Sequence, residues 1–270
     1  MRKLILGQYV YRRSYVHSLD PRTKLLGAMM VMVGLMFVRN PLGLIFFALF
    51  WGIVVRASRL PARLAAQNVR TFAWLLALTF VAQVVFSEGR ILWTVPVLGL
   101  RITQQGLEQG AVYSFRLALL VGFAALLTLT TSPIDLADAL ERLLRPLERV
   151  RVPVRDLVMM ISLSLRFIPT LLEEAERIRT AQLSRGARFT GSLRARINGL
   201  VPLIVPLFIS AFRRAEELAL AMDARCYTGG SERTTYRELR FGRRDAWSAC
   251  ALLLVTGLSI LAERLFAVGS

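Results

Sequence analysis

Histidine occurs once in this 270-residue chain, at position 17, and cysteine twice, at 226 and 250. A zinc site, a Ser-His-Asp triad or a disulfide framework therefore has almost nothing to draw on. Lysine is nearly missing too: Lys3 and Lys24 are the whole set, and every other basic residue is arginine. Without a lysine after Lys24 the chain has no phosphate-binding Gly-x-x-x-x-Gly-Lys-Ser/Thr loop, so it is not expected to hydrolyse ATP by itself. Acids are outnumbered, 18 Asp plus Glu against 35 Lys plus Arg, a formal net charge of +17. Such an excess fits a nucleic-acid binder or a membrane protein with cationic cytoplasmic loops. The apolar segments decide for the second, and no nucleic-acid partner is expected. Residues 1–24 lack an apolar core followed by a small-residue cleavage site, so the first apolar segment is expected to be a retained anchor.

What is present is hydrophobicity in blocks. The chain is 55% hydrophobic with a mean hydropathy of +0.51, too apolar for an ordinary soluble domain, yet 20% of it is charged. Part of it spans a bilayer and part is wet. Asp20 and Pro21 make a helix start, an N-cap followed by proline at the first helical position. Arg22 and Lys24 are placed to snorkel to headgroups while residues 25–38 enter lipid. Arg39-Asn40-Pro41 breaks the run, and 42–55 is the next apolar stretch. Both runs are short against the roughly 20 residues of a spanning helix, which predicts a tight helical hairpin extended at its ends. Arg56, Arg59, Arg63 and Arg70 follow with no acid among them, a cytoplasmic loop by the positive-inside rule. Residues 72–86 are a third span. The sparse, balanced charges of 87–110 (Glu88, Arg90, Arg101, Glu108) suit an outer loop, and 111–131 is a fourth span. Arg116 within it is expected to snorkel or, failing that, to face the bundle.

Ser132-Pro133-Ile134-Asp135 is another helix start, and from there to Arg244 the composition changes. Arg142, Arg145, Arg149, Arg151 and Arg155 lead into an apolar piece at 157–169, then an amphipathic helix over 170–185. Its end reads Ser184-Arg185-Gly186, and Gly186 suits a left-handed cap. A basic connector (Arg188, Arg194, Arg196) leads to the uncharged 197–212 with Pro202 and Pro206. A second amphipathic end follows and reads Ala224-Arg225-Cys226, before the stop at 228–231. Arg233, Arg237, Arg240, Arg243 and Arg244 form a last basic loop, and 246–261 is a final span. The expected architecture is an all-α integral membrane protein with about five transmembrane helices and a cytoplasmic-side helical coupling domain. It divides into a membrane bundle over 1–131, coupling helices over 132–244 and a C-terminal span over 245–270. The N-terminus lies inside and the C-terminus outside. The segments 157–168 and 197–212 are placed at the inner interface rather than across the membrane.

These residues resemble the transmembrane T component of energy-coupling factor (ECF) transporters, bacterial importers of vitamins and metals. The matching pieces are Gly7-Gln8-Tyr9, Ser18-Leu19-Asp20-Pro21-Arg22-Thr23-Lys24-Leu25, the stretch from Thr131-Ser132-Pro133 to Leu143, Leu165-Arg166-Phe167-Ile168-Pro169, and the two arginine motifs. They cover essentially the whole chain in order. The family signature is Ala-Arg-Gly or close to it, twice. Ser184 is a small-for-small replacement, whereas Cys226 in place of glycine argues against a left-handed cap at the second end. The resemblance implies a subunit of the cytoplasmic membrane with no cofactor, metal or catalytic residue of its own. Its implied partners are two cytosolic ATPase subunits, contacted through Ser184, Arg185, Gly186, Ala224, Arg225 and Cys226, and a substrate-binding membrane S component. Met159, Met160, Leu171, Ile178, Leu218 and Met222 are candidates for the S-component contact, though most of these are equally suited to packing the two helices together. A guanidinium, with five fixed donors and a permanent charge, suits acids or carbonyls in a partner groove. The plainer role of either arginine is a cation at a helix C-terminus. Competing classes are a permease with its own substrate pocket and an intramembrane enzyme. The latter finds only Arg116 and Arg166 as ionisable groups in the apolar segments.

Overall fold

A computed structural model describes residues 9–12, 14–38, 40–87, 90–95, 100–150, 152–187, 193–227 and 241–269. Gly7, Gln8, Arg39, Glu88, Arg151, Arg188, the stop at 228–231 and Arg233, Arg237 and Arg240 lie outside the described residues. The chain divides into two compact units, one formed by residues 7–139 with 239–270, the other by 1–6 with 140–238.

The first unit begins where capping chemistry says it should. Helix α1 (Pro21–Phe37) has the Asp20 carboxylate accepting from the Arg22 backbone N–H, with Pro21 in the first turn. Helix α2 (Pro41–Ala57) repeats the arrangement with Asn40 and Pro41. Each has 17 residues, about 25 Å at helical rise, so the pair forms the short hairpin that two clipped apolar runs require. The stretch expected as a basic loop is instead a helix, α3 (Ala62–Thr71). Its alanines and arginines are good helix formers, and Pro61 stands at its start. A break at Phe72 separates it from α4 (Ala73–Phe86).

The expected outer loop holds a small antiparallel hairpin of β1 (Ile91–Val95) and β2 (Leu100–Thr103), pairing Val95 with Leu100 and Ile91 with Thr103. Thr103 then caps α5 (Gln104–Thr130) by accepting from the Gly106 N–H at 3.2 Å. Residues 104–110, expected as the last part of the outer loop, are thus the first turns of the long helix. Its glycines have a packing reason: a Cβ on Gly106 would lie 3.1 Å from the Val84 Cα, and one on Gly110 would lie 3.2 Å from the Phe80 carbonyl. Spaced four apart, they let the α4 and α5 backbones touch, as small residues do between membrane helices.

Helix α6 (Pro133–Leu144) starts as expected. The Ser132 hydroxyl accepts from the Asp135 N–H at 3.1 Å and donates to its carboxylate at 2.7 Å. Helix α9 (Arg243–Gly269) completes this unit by packing on α1 and α2. The core gathers Val31 and Leu35 of α1, Leu44 and Phe47 of α2, and Leu119, Phe123 and Leu126 of α5. Outside it the surface stays apolar: Met36, Leu49, Ile53, Trp74, Val81, Leu253 and Leu261 are all exposed. Among the described residues, α5 and residues 243–262 of α9 are long and apolar enough to cross a membrane, and α2 and α4 are shorter apolar helices. The most apolar windows of α5 and α9 are only 28% and 17% buried, so these are lipid-facing helices rather than the core of a soluble fold. Apart from the hairpin, this is an all-α membrane protein.

The second unit holds two long helices, α7 (Val154–Ser184) and α8 (Leu193–Asp223), of 31 residues each. The apolar segments 157–168 and 197–212 are the front halves of these continuous helices. Pro169 lies inside α7, and Pro202 and Pro206 inside α8. The two helices pack on each other. Gln182 donates to the Pro202 carbonyl, Arg214 sits 4.0 Å from Glu174, and the Tyr227 hydroxyl donates to the Met159 sulfur at 2.9 Å. One partner's number falls as the other's rises, so the pair runs antiparallel.

Candidate functional site: two matched helix ends

Helix α7 ends in a Schellman arrangement. The Gly186 N–H donates to the Leu183 carbonyl and the Ala187 N–H to the Gln182 carbonyl, both at 3.0 Å, and Gly186 has φ of 86°. Helix α8 ends with the same bonds forty positions later. The Cys226 N–H donates to Asp223 at 2.9 Å and the Tyr227 N–H to Met222 at 3.0 Å. Cys226 has φ of 56°, so the left-handed cap argued against from sequence does form. Two cap hydrogen bonds and the Tyr227–Met159 contact hold the turn. They offset a side-chain clash that costs an L-residue roughly 1–2 kcal/mol in this conformation. Arg185 and Arg225 therefore occupy the same place, the last residue before the left-handed turn.

The match extends to exposure. Ser184, Arg185, Gly186, Ala224, Arg225 and Cys226 are all exposed, while the flanking Gln182, Ala187, Met222 and Tyr227 are half-buried. Neither arginine belongs to an ion pair among the described residues. Each guanidinium stands at a helix end where unpaired carbonyls carry partial negative charge, a placement favourable by about 0.3–1 kcal/mol. Because the helices are antiparallel, the tips stand at opposite ends of the pair. They are separated by the length of α7 between Met159 and Gln182, roughly 35 Å at helical rise.

Leu171, Ile178, Leu218 and Met222 are half-buried at three- and four-residue spacings shared with Glu174, Gln182 and Arg214, which touch across the pair. They lie on the seam stripe. Met159 is half-buried and receives the Tyr227 hydroxyl, whereas Met160 is 62% exposed. Sequence reasoning missed Tyr227 as the anchor of the second tip. The likeness of the two ends, by contrast, does have a signal in the sequence: Ala175-Glu176 and Ala215-Glu216 repeat at the same forty-residue offset as the arginines.

Two cations expected to snorkel do something else. The Lys24 ammonium donates to the carbonyls of His17 and Thr130, both at 3.2 Å, stapling the N-terminal turn and α1 to the end of α5. Arg116 faces the bundle, donating to the Val38 carbonyl at the end of α1 and lying 4.9 Å from the Tyr113 ring centre. In both cases a helix-end carbonyl without an intrahelical partner sits within reach. The Lys24 end of the bundle is tied further by Asp245, whose carboxylate accepts from the Asp20 and Gly242 N–H groups at 2.8 Å each. The sequence Ser18–Leu25 is thus a structural clasp. His17 donates from Nε2 to the Val10 carbonyl at 3.0 Å, so its Nδ1 accepts from the Ser14 hydroxyl at 2.7 Å. Burial pushes its pKa below the ordinary histidine value, and the Lys24 and Arg12 charges add to this against the pull of the Val10 bond.

A lipid-facing bundle and a long antiparallel helix pair with twin exposed arginine caps define a helical integral membrane protein built to present two equivalent tips. Residues 12–236 match the family model described as cobalt transport protein. The chain is 45% identical over 264 residues to an energy-coupling factor transporter transmembrane protein EcfT of Thermanaerovibrio acidaminovorans, covering 96% of each chain. It is 40% identical over 268 residues to the protein of the same name from Bacillus subtilis, covering 98% of each. A third EcfT, from Listeria innocua, is 44% identical over 264 residues. The chain belongs to this EcfT family of transporter transmembrane proteins.

Proposed function

We propose that this protein is the coupling subunit of an ECF transporter. It links ATP hydrolysis by two cytosolic ATPase subunits to movement of a substrate-binding S component, for uptake of vitamins or other micronutrients. The observation that carries the reading is the pair of identical helix caps at opposite ends of α7 and α8, each presenting one exposed arginine. A lone C-terminal arginine is ordinary; two in the same cap, forty residues apart on an antiparallel pair, suit two copies of one kind of groove. The chain itself is non-catalytic, and the ATPases supply the energy.

In this reading Ser184, Arg185 and Gly186 meet one ATPase, and Ala224, Arg225 and Cys226 meet the other. Met160, the open one of the two neighbouring methionines, is the foremost residue for the S-component contact, with Met159, Leu171, Ile178, Leu218 and Met222 behind it in the helix seam. The division into a bundle over 1–131, coupling helices over 132–244 and a last span over 245–270 goes with five crossings of the cytoplasmic membrane. The arginine-rich α3 and the α7–α8 pair then lie on the inside with the N-terminus, and the C-terminus lies outside.

Each arginine in a partner groove contributes about 1.5–3 kcal/mol if its hydrogen bonds are charge-assisted, so losing one weakens ATPase binding by roughly 10- to 150-fold. Arg185→Glu and Arg225→Glu, singly and together, are expected to abolish uptake while the protein remains in the membrane. Retention of the ATPase subunits by the double variant at the wild-type level would overturn the assignment.

A further inference from the structure

The first unit contains a cavity of about 260 Å³ between α1, α2, α5 and α9, walled by apolar side chains such as Val31, Phe50, Phe123 and Leu252, with Lys24 as the one charged residue of its lining among the described residues. It lies at the end of the bundle where α1 and α9 begin and α2 and α5 finish. Arg22, Arg56, Arg243 and Arg244 crowd the same helix ends. Tyr15 and Trp247, also in the lining, are 43% and 74% exposed. Such aromatics favour the level of lipid headgroups. Among the three donors of the Lys24 ammonium, two are met by the His17 and Thr130 carbonyls. No carboxylate forms an ion pair with it among the described residues. Asp20, Asp135 and Asp245 act on Lys24 through space, but none of them lines the cavity, and Asp20 and Asp245 are engaged by backbone N–H groups.

We propose that this cavity holds an acyl chain of one anionic phospholipid from the leaflet at the Lys24 end, with the lipid phosphate on the Lys24 ammonium. An apolar pocket in a lipid-facing bundle is filled from the lipid, and a cation that is the one charge on the described wall selects a negative headgroup. A partner's transmembrane helix is excluded by size, since a helix about 10–12 Å across with its side chains is too bulky for a space of about 260 Å³. The inference concerns the isolated chain and does not rest on the coupling reading.

The test is native mass spectrometry of the full chain released from detergent after incubation with dioleoylphosphatidylglycerol or dioleoylphosphatidylcholine. One phosphatidylglycerol per chain is expected, held about tenfold more tightly than phosphatidylcholine. Lys24→Gln should abolish that preference. Ala251→Phe, which fills the cavity and leaves the Lys24 bonds in place, should remove the adduct itself. Arg90→Gln, in the loop that joins the opposite ends of α4 and α5, should change neither. Equal retention of the two lipids by the wild type, an undiminished adduct in Ala251→Phe, or an equal loss in Arg90→Gln would each overturn the proposal.

Discussion

Exchanging the residues at the two left-handed turns should move the stability of the two helix ends in opposite directions. Cys226 and Gly186 make the same hydrogen bonds at φ of 56° and 86°. A side chain in this region costs roughly 1–2 kcal/mol, whereas glycine adopts it freely but brings about 0.5–1 kcal/mol of extra unfolded-state entropy. The difference leaves Cys226→Gly stabilising by about 0.5–1 kcal/mol and Gly186→Cys destabilising by about the same amount. The amides to follow are those of Tyr227 and Ala187, which close the longer cap bond at each end. Hydrogen exchange should show Tyr227 protected roughly two- to fivefold more in Cys226→Gly, and Ala187 protected less by a similar factor in Gly186→Cys. On the coupling reading Cys226→Gly also keeps transport, because the arginine before it does not move. Faster exchange at Tyr227 in Cys226→Gly would mean that the cysteine holds the turn through its own contacts, and the steric reasoning would be refuted.

Gly110→Val drives a branched side chain toward the Phe80 carbonyl and should destabilise the α4–α5 contact by about 1–3 kcal/mol, read as a lower unfolding midpoint in detergent. Arg116→Leu leaves the Val38 carbonyl without its donor and should cost about 1–3 kcal/mol by the same measurement; an unchanged midpoint would show that the arginine is bonded elsewhere. Because the His17 pKa is lowered on folding, the unfolded chain takes up the proton first. Stability is therefore insensitive to this group above about pH 6.5 and falls on acidification below it, and His17→Gln should flatten that part of the curve.

The helix starts at Asp20-Pro21 and Ser132-Pro133 were legible because capping is decided by a residue and its neighbours within one turn. The basic stretch around Arg63 and Arg70 reads as a loop by its charge alone. Its alanines and its proline start were the better guide. Ile91–Val95 carries β-branched and aromatic residues that suit a strand, a signal that the sparse charges of that region do not carry. Lys24 and Arg116 misled for a different reason. Snorkelling is a property of the side chain, but both bend to carbonyls at the ends of other helices, Thr130 for Lys24 and Val38 for Arg116, and no local pattern contains those partners. The same holds at Cys226, where residue preference opposes a turn that the adjacent Tyr227 anchors to Met159, 68 positions before it.

On the coupling reading, antiparallel packing gives the two tips their mechanical meaning. In a parallel pair both caps would lie side by side, and a partner pulling on them would tilt the pair as one body. Here the caps are roughly 35 Å apart at opposite ends, so bringing them together or apart must change the angle at which α7 and α8 cross. The seam is suited to such a change, for apart from the Tyr227–Met159 bond at one end its polar contacts among the described residues are a long hydrogen bond at 3.4 Å and a half-buried ion pair at 4.0 Å, both weak. The prolines add compliance, since each removes a helical hydrogen bond at Pro169, Pro202 or Pro206. On the coupling reading, stiffness belongs at the caps and freedom along the helices between them, and that is where the hydrogen bonds and the prolines respectively stand.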